Sequence, residues 1–528
     1  MGDSASRILE LPYPASSDTF FDRNGPCSHH LRRLLMLDPQ YLLGDEEMQQ
    51  FIAEGYLTLK SSLPASLHQD IYQRTEEVFA KEGNPGNNIL PRIPALQQVF
   101  DDPVVRGALA SVVGPDYVMH AHRHCHINRA GSEGGGWHKD SYWGYNKVRY
   151  HRNRWVMIFY YPQDVTLENG PTAVMPGTHY YNGRADDEQD EQHLPVLGEA
   201  GTCTLVHFDL WHRAMPNSTA ANRYMMKFQF TRLSEPTRPS WNIQAPGWPA
   251  NGSVPSSKHR VVWSRIWDWH AGAQNRAEVN GQIEQLSESL NGTLEQRLSA
   301  TDALGALGEK AAPALDALLG ALGDEAEPVR LNAAYALGAV GAAAVGSLIT
   351  ALDDEREHVR EHAAYALSAV GEEAVDALIT ALDDEREHVR GFAAYALGDM
   401  GASAGTDAVD ALCKLADDPD AWVRRNVAEA LGTIELSPDA SVSALAALLA
   451  DEDEQVRFNA AYALAHFGPA AAAATDALAA ALSDENRYVQ GHSTAALQQI
   501  GTPEAQGVLL HHLTAARWCP ITTKETTF

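Results

Sequence analysis

The sequence predicts a chain of two parts, an all-β domain with flanking helices followed by an all-α solenoid. Between about residues 117 and 233, short segments of alternating apolar and polar residues are separated by Gly, Pro and Asn, which is typical of an all-β domain. From residue 293 onward, a unit of two helices recurs every 30–34 residues, which is typical of an α-solenoid.

Composition and charge narrow the classes of partner. The chain has 528 residues, of which 45% are hydrophobic, so each part can bury a core. The sequence contains no run of about 18 uncharged apolar residues, so we expect no membrane span. The net charge of −29 repels nucleic acid phosphates and anionic lipids. We therefore expect neither nucleic acid nor a membrane as a partner.

The cysteines and the N-terminus favour a cytoplasmic protein. The five cysteines have no close spacing, which fits free thiols in a reducing compartment better than a disulfide framework. The first residues lack the basic and then apolar layout of a signal peptide.

The all-β part carries helices on both sides. "DEEMQQFIAEGYLTLKSSL" predicts a helix running into a strand, "ASLHQDIYQRTEEVFAKEG" an amphipathic helix, and "VVWSRIWDWHAG" a closing helix. We predict five segments along the chain: an N-terminal extension (1–44), the β domain (45–270), a polar linker (271–292), the solenoid (293–514) and a C-terminal tail (515–528).

Several of the repeat units have nearly identical sequences. "VRLNAAYALGAVG", "VREHAAYALSAVG" and "VRGFAAYALGDMG" begin at Val329, Val359 and Val389. Their many alanines let neighbouring helices approach closely. The region resembles HEAT-like repeats of the alanine-rich kind also found in phycobilin lyases, and the resemblance covers roughly seven helix pairs. His358 and His362 lie one helical turn apart, a spacing that can hold a metal, but we favour solvated polar positions.

The stretch "GWHKD" carries the chemistry. His138 and Asp140 are two residues apart, so on a strand or at its end they face the same side. The best third ligand from a distant strand is His212. Two histidines and one carboxylate on one side of a metal are associated with non-haem Fe(II) oxygenases. Arg223 follows His212 by eleven residues, and its planar fork suits the far carboxylate of a diacid cosubstrate.

These residues carry a second resemblance. With "FIAEGYLTL" at 51–59 and "LENGPTAVMPGTHYYNG" at 167–183, the region of about residues 45–270 resembles the phytanoyl-CoA dioxygenase family of Fe(II)/2-oxoglutarate oxygenases. The resemblance implies a double-stranded β-helix, a jelly roll of the cupin type. It implies iron ligation by His138, Asp140 and His212, and pairing of Arg223 with the C5 carboxylate of 2-oxoglutarate. It also implies a cosubstrate contact from Asn128.

Two positions qualify the resemblance. Ala214 stands where the family often has Ser, which puts one cosubstrate hydrogen bond in doubt. Asp140 stands where related halogenases have Gly or Ala, which favours hydroxylation. Trp143, Tyr145 and Lys147 are candidate substrate contacts, although their segment suits a flap equally well. Alternation puts four histidines on one strand face, where they can line the pocket, and we favour a role as partners of the ligands or in the structure: His120, His122, His124 and His126.

The expected function is oxidation of a small-molecule metabolite with Fe(II), 2-oxoglutarate and O₂, with the solenoid binding a protein partner or positioning the substrate. Three alternatives stay open. The β domain is a catalytically inactive scaffold, the enzyme hydroxylates a protein side chain that the solenoid recruits, or the solenoid dimerises the enzyme. The sequence does not identify the substrate.

Overall fold

The computed structural model describes residues 37–140, 151–183, 192–249, 258–272 and 283–515. Within these ranges, every helix is too short or too polar to cross a lipid bilayer. The candidate substrate contacts Trp143, Tyr145 and Lys147 lie outside the described residues.

Within the described residues, eight strands form two antiparallel sheets. They are β1 (Tyr56–Lys60), β2 (Val118–Asn128), β3 (Trp155–Tyr160), β4 (Thr172–Val174), β5 (Leu194–Pro195), β6 (Thr202–His207), β7 (His212–Ala214) and β8 (Arg223–Thr231). The larger sheet has the order β1-β6-β3-β8-β2, and the smaller one has the order β5-β4-β7. This arrangement confirms the predicted cupin-like jelly roll.

Helices cover the outer face of the larger sheet. They are α1 (Asp45–Glu54), α2 (Ala65–Glu82), α3 (Ile89–Arg92), α4 (Leu96–Asp101), α5 (Pro103–Val113) and α6 (Arg260–His270). The predicted helix-to-strand unit and the closing helix are therefore present. Strand alternation sorts the buried residues: Val156, Ile158 and Phe228 pack against these helices, whereas Met157 and Met225 belong to a separate core. The second set includes the inner face of the barrel.

In the described range 283–515, seven helix pairs follow, as predicted. Their helices are α8 (Leu294–Leu307), α9 (Leu315–Ala321), α10 (Glu327–Val340), α11 (Ala342–Ala351), α12 (Glu357–Val370), α13 (Val375–Ala381), α14 (Glu387–Met400), α15 (Gly405–Lys414), α16 (Ala421–Ile434), α17 (Pro438–Leu448), α18 (Glu454–His466), α19 (Thr475–Ala481), α20 (Arg487–Ile500) and α21 (Pro503–Ala515). Close approach explains the small residues: a Cβ added at Gly432 would lie 2.5 Å from the Cβ of Ala463. The predicted linker is partly helical, because it contains α7 (Ile283–Ser289), whose Leu286 packs on the core.

The recurring arginines tie successive repeats together. Arg424 places Nε 2.7 Å from the carboxylate of Asp451 in the next unit. Its Nη1 donates to the carbonyl oxygen of Asp418, in the acidic turn before its own helix, at 2.8 Å. Pairs of the same kind join three other arginines to the following unit: Arg297 to Asp324, Arg390 to Asp418 and Arg457 to Asp484. These arginine–aspartate ion pairs therefore recur along the solenoid with the period of the sequence repeat.

The solenoid packs directly against the jelly roll. The Tyr462 hydroxyl lies 2.7 Å from Thr231 Oγ1 and donates to the Arg232 carbonyl oxygen at 3.1 Å. The Tyr335 hydroxyl lies 3.0 Å from Nδ1 of His151. These tyrosines come from the recurring "AAYAL" segments, so at least part of the tyrosine face of the solenoid is occupied by the β domain of the same chain.

A buried ion pair strengthens the same interface. Arg154 Nη1 lies 2.8 Å from Oδ1 of Asp399 on α14, and its Nε lies 2.7 Å from Glu235. Burial opposes ionisation of Asp399, but Arg152 and Arg154 outweigh it and lower the pKa of Asp399 to about 2. The carboxylate therefore stays charged at neutral pH.

Candidate metal centre

Two backbone segments bring His138, Asp140 and His212 together. His212 begins β7, and its N–H and C=O exchange hydrogen bonds of 3.0 Å with those of His138. The centres of the two imidazole rings lie 4.4 Å apart, and Nε2 of His212 lies 3.5 Å from Oδ2 of Asp140. One ligand atom from each of the three residues lies within 4.8 Å of the others, and this is the one such cluster among the described residues.

The spacing is slightly wider than a filled metal site requires. Ligand atoms on one ion with bonds of about 2.1 Å lie at most about 4.2 Å apart. His138 is exposed, whereas Asp140 and His212 are buried. The donor set, two imidazoles and one carboxylate, suits Fe(II).

Both imidazoles are oriented as metal ligands require. Nδ1 of His212 donates to the Leu210 carbonyl oxygen at 2.9 Å, and Nδ1 of His138 donates to the Gly136 carbonyl oxygen at 3.0 Å. Each ring therefore presents the lone pair of Nε2. His212 Nε2 is buried and has no hydrogen-bond partner among the described residues. Burial lowers the pKa of His212 to about 4, so the ring is neutral at physiological pH. This orphaned buried nitrogen is the observation that best fits a bound metal.

A lysine that the sequence analysis missed contacts the carboxylate. Lys227 Nζ lies 2.7 Å from both oxygens of Asp140, and both side chains are buried. Burial would raise the pKa of Asp140, but His212 and Lys227 outweigh it and hold the pKa below its usual range. A signal was available: Lys227 follows Arg223 by four residues on β8, so both share one strand face.

Arg223 points inward from the same strand. Its guanidinium is buried, and Nε and Nη2 both donate to the Gly170 carbonyl oxygen, at 2.8 and 2.6 Å. The guanidinium carbon lies 5.9 Å from the ring centre of Tyr161. Nη1 makes no hydrogen bond to the described part of the chain. The cation is therefore held by one side of its fork, and the other side is available to a ligand.

Asn128 lies beside Arg223. The two residues are register partners of β2 and β8, and Asn128 Nδ2 donates to the carbonyl oxygens of Gly170 and Met215, at 3.0 and 2.8 Å. Gly170 has a φ of +74°, and a Cβ there would lie 2.2 Å from Asn128 Nδ2. The glycine of the "LENG" segment is thus required by close packing beneath Arg223.

The histidine row of β2 divides between two environments. His124 and His126 pair with Lys227 and Met225, on the barrel side. The pKa of His126 is lowered by burial and then by Lys227, which places it near the candidate ligands. A register shift between Met119 and Arg123 precedes them. For His120 and His122, the structural role is the one observed. His120 lies 3.0 Å from His492, and His122 bonds Tyr488, both on α20.

The other histidines considered lie outside the cluster. His179 Nε2 bonds the Ile52 carbonyl oxygen. The expectation of a solvated position is wrong for His362, which is buried and whose Nδ1 bonds the His358 carbonyl oxygen. A polar cavity of about 260 Å³ lies between the domains, beside Arg152, Tyr365 and Asp399. None of the candidate ligands lines this cavity, so it is separate from the candidate metal centre.

Comparison with known families agrees with this geometry. Residues 37–225 match the phytanoyl-CoA dioxygenase family, a range that contains the three candidate ligands and Arg223. Five overlapping segments between residues 283 and 519 match HEAT repeats. The chain joins a region that matches the phytanoyl-CoA dioxygenase family to a region that matches HEAT repeats. Both resemblances inferred from the sequence are thereby confirmed. No curated protein matches the chain.

The similar solved structures share low sequence identity with this chain. The carbocyclase SnoK from nogalamycin biosynthesis is 16% identical, with a TM-score of 0.31 over 38% of this chain and 87% of that one. EctD from S. alaskensis, solved with 2-oxoglutarate and 5-hydroxyectoine, is 16% identical, with a TM-score of 0.31 over 39% and 83%. AviO1 from Streptomyces viridochromogenes is 16% identical, with a TM-score of 0.30 over 37% and 96%.

Proposed function

We propose that the protein is a non-haem Fe(II)/2-oxoglutarate-dependent dioxygenase that hydroxylates a small-molecule metabolite. The observation that carries the proposal is the meeting of His138, Asp140 and His212 with the Nε2 lone pair of His212 buried and unpartnered. A buried polar atom without a partner is costly unless something binds it.

We assign the three residues as iron ligands on one side of the ion. The Leu210 and Gly136 carbonyls fix the tautomers of His212 and His138, so that both rings offer Nε2. Lys227 orients the carboxylate of Asp140 and keeps it ionised. Bound Fe(II) would supply the activation of O₂ for oxidising a C–H bond of the substrate.

We assign Arg223 to the far carboxylate of 2-oxoglutarate. Arg223 and Lys227 are four residues apart on one strand face, so about 13 Å separates their Cα atoms. A linear diacid lying between them would meet the guanidinium at one end and the metal at the other. Asn128 supports this end by holding the carbonyl of Gly170 on which Arg223 rests.

The alternatives are less well supported. The presence of Asp140 in the cluster favours hydroxylation over halogenation. An inactive scaffold would have no use for three converging donors of which two, Asp140 and His212, are buried. Recruitment of a protein substrate by the tyrosine face of the solenoid is disfavoured, because Tyr335 and Tyr462 contact the dioxygenase domain itself.

The decisive experiment measures succinate formed from 2-oxoglutarate in the presence of Fe(II) and O₂. We expect turnover by the full chain, and we expect it to fall at least a hundredfold in His212→Ala. Candidate metabolites would then be screened for stimulated succinate formation, and hydroxylated products identified by mass.

Metal binding supplies an independent readout. Co(II) titration followed by visible absorption should show one tight site in the wild type and a lost or much weaker one in His212→Ala. His362→Ala is the matched control, since this histidine is also buried but lies in the solenoid, and it should keep both properties. Failure of the wild-type protein to bind Co(II) or to form succinate would refute the proposed function.

A further inference from the structure

One loop contacts both strands that carry the candidate ligands. Residues 178–183, here called the rim loop, follow β4. Lys139, between His138 and Asp140, places Nζ against the carbonyl oxygens of Thr178 and Tyr181. Trp211, next to His212, donates from Nε1 to the Gly183 carbonyl oxygen at 3.2 Å. The rim loop therefore touches the nearest neighbours of all three candidate ligands.

The solenoid holds this loop through a carboxylate. Both oxygens of Glu327 accept backbone hydrogen bonds from the rim loop, from Asn182 N at 2.5 Å and from Gly183 N at 3.0 Å. Asn182 Nδ2 also donates to Glu361 Oε2 at 2.9 Å. Glu327 begins α10 and Glu361 lies on α12, so two successive repeats meet the loop. Two amides that would otherwise need water are bonded by a group from the other domain.

A second tie runs through His259. The Tyr181 hydroxyl bonds Nε2 of His259, and Nδ1 of His259 donates to Asn332 Oδ1 at 2.6 Å. Asn332 is buried on α10 and in turn donates to the Lys258 carbonyl oxygen at 2.7 Å. Helix α10 therefore contacts the rim loop twice, through His259 at Tyr181 and directly at residues 182–183.

Hydrogen bonding to the rim loop is not a general property of the first glutamate of each repeat. Glu357 and Glu387 stand at the first position of α12 and α14, as Glu327 does in α10. Glu357 is exposed and makes no hydrogen bond or ion pair with the rim loop in the described structure. The role of Glu327 thus depends on its place against the jelly roll and is absent from the equivalent residue one repeat later.

We propose that Glu327 is a positioning residue for the dioxygenase site. By fixing the rim loop, it fixes Lys139 and Trp211, and through their backbone it fixes the strand ends that carry His138, Asp140 and His212. The solenoid is then a structural part of the catalytic centre. The proposal rests on the proposed function and adds a residue from the other domain to it.

The test compares Glu327→Ala with Glu357→Ala in the full chain. In E327A, we expect amide exchange of Asn182 and Gly183 to accelerate at least tenfold. We expect kcat for succinate formation to fall at least tenfold, while KM for 2-oxoglutarate changes less than threefold because Arg223 is not touched. The visible spectrum of the Co(II) form should change shape. E357A should match the wild type in all four respects.

The conservative variant Glu327→Gln provides a rescue. The amide side chain of this variant has one carbonyl oxygen, which can accept only some of the hydrogen bonds that the carboxylate accepts. The amide exchange rates of Asn182 and Gly183 and the value of kcat should therefore lie between those of the wild type and E327A.

The outcomes separate this proposal from the proposed function. Faster exchange in E327A with unchanged kcat and an unchanged Co(II) spectrum would overturn it, as would equal exchange in E327A and E357A. Absence of succinate formation by the wild type would overturn the proposed function alone. The exchange rates and the Co(II) spectra of the two variants would still decide whether the rim loop acts on the three ligands.

Discussion

The ammonium of Lys227 is shared equally between the two carboxylate oxygens of Asp140, at 2.7 Å from each. The Lys227 ammonium and a divalent metal are both cations that would bind the Asp140 carboxylate, so they repel each other. We therefore expect the pair to stabilise the metal-free protein and to weaken metal binding.

Lys227→Met tests this competition. Leaving a buried carboxylate unpaired costs about 3–5 kcal/mol of unfolding free energy in the metal-free protein. Added Mn(II) should then raise the melting temperature more in K227M than in the wild type, because the metal neutralises the orphaned charge. Lys60→Met, which breaks the exposed pair with Glu199, is the control and should show the wild-type increment. Equal increments in K227M and the wild type would refute the competition.

Arg223→Lys tests the assignment of the cosubstrate end. The substitution keeps the charge but loses the planar fork, so we expect KM for 2-oxoglutarate to rise roughly tenfold to a hundredfold. Mn(II) affinity in the absence of 2-oxoglutarate should change less than threefold, since Arg223 contacts none of the three ligands. KM is measured from the rate of succinate formation, and the Mn(II) affinity is measured by calorimetric titration. An unchanged KM would remove Arg223 from the cosubstrate site.

Asp302 gives a pH-dependent prediction at the domain junction. Its Oδ1 accepts a hydrogen bond from Val261 N at 2.7 Å, and burial raises its pKa to about 6. The folded state therefore holds this proton more tightly than the unfolded state. The associated stability is present below about pH 4 and is lost as pH rises towards 6.

Asp302→Asn removes that titration and keeps an acceptor for Val261. The stability of D302N relative to the wild type should rise by up to about 3 kcal/mol between pH 4 and pH 6.5, and then stay level. Urea unfolding at a series of pH values measures the difference. A difference that does not vary with pH would contradict the raised pKa.

Asp399→Asn tests whether the two domains unfold together. The change leaves Arg154 with one fewer anion in a buried interface, so the unfolding free energy should fall by about 3 kcal/mol. Separation of the jelly roll from the solenoid should appear as a second transition in calorimetry. Asp484→Asn breaks an arginine pair within the solenoid and should destabilise without splitting the transition. A single transition in D399N would show that other contacts suffice for coupling.

The sequence predicted most of what repeats or alternates. The two-helix period, the strand segments and the meeting of His138 with Asp140 and His212 follow from local spacing and from the family motif. Lys227 was missed because it stands in the apolar run "YMMKFQF", where only its register with Arg223 reveals its direction.

The contact between the domains could not be predicted in the same way. The "AAYAL" tyrosine occurs in several repeats, and nothing in the period says that Tyr335 and Tyr462 bind the jelly roll. The division of the β2 histidines had a different cause. A strand irregularity before Arg123, which alternation alone does not reveal, precedes the pocket-side histidines, while His120 and His122 meet α20.

The order of the two domains along the chain has a consequence for biosynthesis. The jelly roll leaves the ribosome before the repeats that cover it exist, and at about 5–20 residues per second the delay amounts to roughly 10–50 s. During that interval Arg154 and His151 face solvent or a chaperone in place of their later partners. Nascent chains arrested before the solenoid should therefore bind chaperones more strongly than released full-length protein does.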